Sequence, residues 1–146
     1  MDRDEESHLR RAIELSEEAR RAGDRPFGSL LVGPDGSVLA EDRNTVMSDR
    51  DITAHPELKL ARWAAAQLDR ETARGTTMYT SCQPCAMCEG AIERSGIGRV
   101  VFGLSREQRD EIEGAPVTQT PVRNEGPFML EAARVPVARF FDEHGG

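Results

Sequence analysis

The chain has 146 residues, enough for one domain core and short for two. Hydrophobic residues make up 38%, to which 13 glycines add, a globular rather than a disordered composition. The formal charge of -7, from 26 acidic and 19 basic residues, disfavours nucleic acid and other polyanionic partners. The longest apolar runs are short stretches such as Leu30, Leu31 and Val32, far below the roughly 20 residues of a membrane span, so no membrane is expected as a partner. Met1 to Arg11 carries charges of both signs and no apolar export segment, which makes a cytoplasmic location the default expectation.

In chain order, Leu9, Ala12, Ile13 and Ala19 keep the spacing of one helix face and predict an amphipathic helix over Glu5 to Ala22, stopped at Gly23. Ser29 to Val32 and Val38 to Ala40 flank Gly33-Pro34-Asp35-Gly36 and read as a hairpin. A second helix is predicted over His55 to Leu68, with Pro56 at its first position and His55 as its cap, because proline lacks an N–H and has a preset backbone angle. Thr76 to Ser81 is β-rich, Cys85 to Ser95 is helical and ends at Gly96, and Arg99 to Phe102 forms another strand. Arg109 to Glu125 shows no clear periodicity, and a late helix is predicted over Asn124 to Arg134. This order predicts an α/β domain of two or three layers around a mixed sheet.

Cys82, Cys85 and Cys88 fall within seven residues, an odd count in a tight cluster, which points to metal rather than to a disulfide framework. Cys85 and Cys88 are three residues apart at a helix start, where the helix N-terminus stabilises thiolates. Alone, such a pair also suits a redox couple or half of a structural zinc site. His8 and His144 lie near the ends, where solvation is expected, so His55 is the internal candidate ligand, and Glu57 follows two residues later. One His and two Cys leave a fourth tetrahedral position for water, the mark of a catalytic zinc. Cys82 reads as a small packed residue instead.

His55-Pro56-Glu57 followed by Pro84-Cys85-Ala86-Met87-Cys88 resembles the zinc-deaminase signature, in which the glutamate carries protons and does not bind the metal. Together with Arg25-Pro26-Phe27-Gly28, Asn44, Met78-Tyr79-Thr80-Ser81 and Gly90-Ala91-Ile92, these blocks are similar to the cytidine deaminase-like superfamily, and within it to guanine deaminases and fungal cytosine deaminases. The resemblance implies a three-layer α/β/α fold with a central mixed sheet of about five strands in one domain over 1–146. It implies one zinc per chain on His55, Cys85 and Cys88, Glu57 as acid and base, Asn44 bonding the ring or sugar, and a homodimer. Phe27 and the tail residues Phe140 and Phe141 are expected as apolar walls. The end, Phe140-Phe141-Asp142-Glu143, is similar to the aromatic and acidic tail that closes the pocket over free bases in those enzymes. Pro56 departs from the small residue usual between ligand and glutamate and has no N–H to offer a substrate acceptor.

The expected reaction is hydrolytic removal of an amino group, as ammonia, from a cytosine- or guanine-like base or nucleoside. Adenosine in tRNA is the alternative substrate, and the acidic charge counts against it. A non-catalytic zinc-binding partner of the same fold is the second alternative, which the presence of Glu57 disfavours. Pocket shape is expected to depend on residues 46–53 and 104–125.

Overall fold

A computed structural model describes residues 1–114 and 120–145. The chain divides into two compact units, Met1–Pro116 and Val117–Gly146.

The first unit opens with α1 (Arg3–Arg21), whose start is capped by the Asp2 carboxylate accepting from the Glu5 N–H at 2.8 Å. Strands β1 (Gly28–Val32) and β2 (Val38–Arg43) form the expected hairpin, β2 running three residues past Ala40. A short α2 (Val46–Asp49) leads to α3 (Pro56–Gln67), capped at His55 with proline at its first position, as the backbone chemistry of proline dictates. Then come α4 (Arg70–Arg74), β3 (Thr77–Cys82), α5 (Ala86–Ser95), β4 (Arg99–Leu104) and α6 (Arg106–Glu113). Gly96 ends α5 with φ +89°, a left-handed conformation that glycine adopts without strain.

The sheet order is β2-β1-β3-β4, with β1 antiparallel to both neighbours and β3 parallel to β4. This is the mixed sheet expected. Side chains alternate across it. Leu30, Val32 and Tyr79 on one face pack with Ala12 and Leu15 of α1, while Leu31 and Met78 on the other pack with Leu60, Ala61 and Ala64 of α3 and Ile92 of α5. The sheet is therefore covered on both faces, giving three layers. Gly28 lets α1 approach β1 closely, since a Cβ there would lie 2.5 Å from the Leu15 Cβ.

Three expectations change. Four strands occur among the described residues rather than about five. Residues 120–129 form no strand, consistent with Pro121, Gly126 and Pro127, residues that interrupt or weaken a ladder. The segment expected to be aperiodic takes in the second part of α6, which begins three residues before it, and residues 115–119 of it lie outside the described residues. The late helix is α7 (Leu130–Glu143), which starts six and ends nine residues later than predicted; Pro127 disfavours helical backbone just before it, whereas Pro136 is accommodated inside. No helix among the described residues is long and apolar enough to cross a membrane.

Candidate active site

The N-termini of α3 and α5 meet at the end of β3. His55 and Cys85 are the caps of the two helices, and Cys88 lies in the first turn of α5. The His55 Nδ1 is 3.7 Å from the Cys85 Sγ and 3.5 Å from the Cys88 Sγ, and the three ligand atoms lie within 4.8 Å of one another. Tetrahedral zinc with ordinary bond lengths has N–S edges of about 3.6 Å and S–S edges of about 3.8 Å. The trio therefore fits zinc, through Nδ1. Hydrogen bonding from Cys88 and then His55 pulls the Cys85 thiol well below its ordinary range, while the same contact and burial push Cys88 up. His55 is raised, chiefly by Cys85. A thiol lowered in this way, beside a second sulfur and an imidazole, makes a cation-seeking group. Cys82 is buried but stands outside the trio, and burial raises its thiol.

Glu57 is only 6% exposed, in the first turn of α3. Burial lifts its carboxyl to about 7, against the opposing influence of His55. A carboxyl poised there exchanges protons near neutral pH.

Asn44 follows β2 and is buried. Its N–H donates to the Phe27 carbonyl at 3.0 Å, and its Oδ1 accepts from the Val46 N–H at 3.0 Å. The next residue, Thr45, donates its N–H to the Ala54 carbonyl at 3.1 Å, which draws this segment alongside His55. Lys59, the only lysine of the chain, reaches back from α3 to the Arg43 carbonyl at 2.8 Å, the Thr45 hydroxyl at 3.0 Å and the Asp42 carboxylate at 3.0 Å. Asp24 accepts from the Met47 and Ser48 N–H groups and from the Ser48 hydroxyl, tying α2 to the end of α1. The Cys85 loop is held from α6, where Arg106 donates to the Gln83 side chain at 3.1 Å, the Pro84 carbonyl at 2.6 Å and Glu89 at 2.9 Å.

Pro56 is fully buried at the first position of α3. Phe27 is half-buried, with the Arg25 guanidinium 5.9 Å over its ring, and it lines a groove of about 590 Å³ shared with Ser81, Cys82, Leu104 and Arg109. Phe140, Asp142 and Glu143 are exposed in α7 of the second unit, where Phe140 stacks on His144 with ring centroids 4.1 Å apart. His8 is not freely solvated as expected near a terminus. It is half-buried, its ring 5.2 Å from that of Tyr79, because α1 packs on that face of the sheet.

The family model described as cytidine and deoxycytidylate deaminase zinc-binding region matches residues 2–104. The chain belongs to this family. A probable cytosine deaminase of Schizosaccharomyces pombe is 35% identical over 154 residues, covering 93% of this chain and 91% of the relative. A tRNA-specific adenosine deaminase of Haemophilus influenzae is 36% identical over 101 residues, 69% of this chain and 58% of the relative. Among solved structures, guanine deaminase from Bacillus subtilis superposes with a TM-score of 0.74 at 28% identity, covering 97% of this chain and 96% of that one. The chain is accordingly a deaminase-family hydrolase, of the class acting on C–N bonds in cyclic amidines. Its His/Cys/Cys group fits the zinc-binding character of the family.

Proposed function

We propose that this protein is a zinc-dependent hydrolytic deaminase of a free amino-substituted base or nucleoside of the cytosine or guanine type, with one zinc per chain on His55, Cys85 and Cys88. The observation that carries the reading is a buried carboxyl, Glu57, lifted to about 7 within the electrostatic reach of His55 and Cys85. A purely structural zinc site has no use for such a group. When bound, zinc supplies the Lewis acidity that brings deprotonation of water near neutral pH. Glu57 takes a proton from the attacking water and passes it to the ring nitrogen, then takes the second proton from the newly formed hydroxyl and passes it to the departing amino group, serving twice as base and then as acid so that both protons of the water are placed.

Asn44 has its Oδ1 committed to Val46, so it meets the substrate through Nδ2 and selects a ring or sugar acceptor. Pro56 adds no donor beside it. Phe27 contributes an apolar edge. A second reading, adenosine in tRNA, draws support from the Haemophilus influenzae relative, but the charge of -7 opposes the phosphate contacts that such a substrate needs. Ammonia release from cytosine, guanine, their nucleosides and an anticodon hairpin carrying adenosine tests both. Release from a free base or nucleoside is expected. Release from the hairpin alone would transfer the function to tRNA, and release from none would remove the deaminase reading.

A further inference from the structure

Two hydroxyls lie behind Glu57 on the buried face of the sheet. Ser29 sits among Leu30, Leu31 and Val32, and Thr80 directly follows Met78 and Tyr79. They are direct cross-strand partners in the antiparallel β1–β3 pair, on the face where Leu31 and Met78 pack under α3. Both are buried almost completely, at 0% and 1% exposure. Ser29 Oγ is 3.4 Å from Glu57 Oε1 and 2.7 Å from Thr80 Oγ1, and Thr80 Oγ1 is in turn 3.2 Å from the Cys82 carbonyl.

We infer that Ser29 and Thr80 form a buried hydroxyl pair that positions the Glu57 carboxyl, holding Oε1 against the sheet and leaving Oε2 to the reacting groups. This deepens the proposed site and rests on the reading of Glu57 as its proton carrier. Ser29 and Thr80 are positioning residues, not catalytic ones.

The packing explains why a pair is present rather than a single hydroxyl. A buried hydroxyl without a partner is costly, and each of these has one hydrogen to donate and lone pairs to accept. Thr80 can donate to Ser29 while Ser29 donates to Glu57, or Thr80 can donate to the Cys82 carbonyl while Ser29 donates to Thr80 and accepts from Glu57. Either direction keeps Oε1 bonded. The 3.4 Å separation is long for such a bond, and contacts of this kind tighten in the substrate complex. The anchor is also rigid. The strands beneath are central in the sheet, and the carboxyl sits in the first turn of a helix seated on them.

The test uses the zinc-loaded full-length chain and the variants Ser29→Ala, Thr80→Val and Thr80→Ser. Thr80→Val keeps the shape and removes only the hydroxyl, whereas Thr80→Ser restores it. With carboxyl-labelled glutamate, the Glu57 side-chain carbon resonance, assigned by its loss in Glu57→Gln, is expected to move in Ser29→Ala and Thr80→Val and to stay in place in Thr80→Ser. On whichever of cytosine or guanine the wild type deaminates, kcat is expected to fall about two- to tenfold in the first two variants, the worth of one hydrogen bond, with KM and zinc content unchanged. The double variant Ser29→Ala with Thr80→Val is expected to be no slower than Ser29→Ala alone, because the pair acts as one unit. An unmoved resonance in Ser29→Ala, or a moved resonance with unchanged kcat, overturns the positioning role. If the wild type deaminates neither base, the substrate reading fails and the resonance arm alone decides the contact.

Discussion

Glu57→Gln in the metal-free protein isolates the electrostatic state of the site. In the unfolded chain the carboxyl titrates near 4.5, and burial in the native state lifts it to about 7. Between those values the unfolded state releases a proton that the folded state keeps, so stability falls as pH rises. The contribution is fully present below 4.5 and is lost as pH passes through 7. At 1.36 kcal/mol per unit, the change from pH 5 to pH 8 is about 2.5 kcal/mol. Glutamine has the same shape and no titration. Urea unfolding of chelated, reduced protein is therefore expected to show the wild type losing about 2–3 kcal/mol more than Glu57→Gln over this interval. Contributions from Cys85 and His55 run through both proteins and largely cancel in the difference. Parallel stability profiles for the two proteins would refute a Glu57 held protonated by burial.

Cys88→Ala is expected to abolish zinc binding and Cys82→Ser to leave it intact, as elemental analysis would show; equal loss in both would mean a different ligand set. Lys59→Met removes the cation that ties Arg43, Thr45 and Asp42 to α3. It is expected to cost about 1.5–3 kcal/mol in urea unfolding and to raise KM through a loosened Asn44 while kcat holds. Pro56→Ala restores an N–H at the start of α3, and efficiency on cytosine or guanine is expected to rise about two- to tenfold in competition kinetics if an acceptor faces that point.

Much of this arrangement is written in local chemistry. Proline after His55 and the start of α5 after Cys85 announce two helix N-termini, and those termini carry the trio. The same grammar marks α6, where Ser105 and Gln108 complete a reciprocal capping box. Hydrophobic periodicity misses that helix because Ile112 is its only large apolar residue and is exposed. Contacts made by the tertiary fold are harder to read. Ser29 and Thr80 are 51 residues apart and meet only through strand register, and Lys59 finds its partners only when α3 lies over the end of β2. Ser29, polar beside Leu30, Leu31 and Val32, is the available signal for the first pair, whereas Thr80 lies in a strand that also holds Thr77 and Ser81. Nothing local points to the second.

Ammonia release by zinc-matched wild type and Glu57→Gln on a base that the wild type turns over tests the central claim most directly. The amide cannot carry a proton, so the variant is expected to keep its zinc and its fold and to lose at least about a hundredfold in kcat. Turnover within a few-fold of wild type at equal zinc content would contradict Glu57 as the acid and base of the reaction.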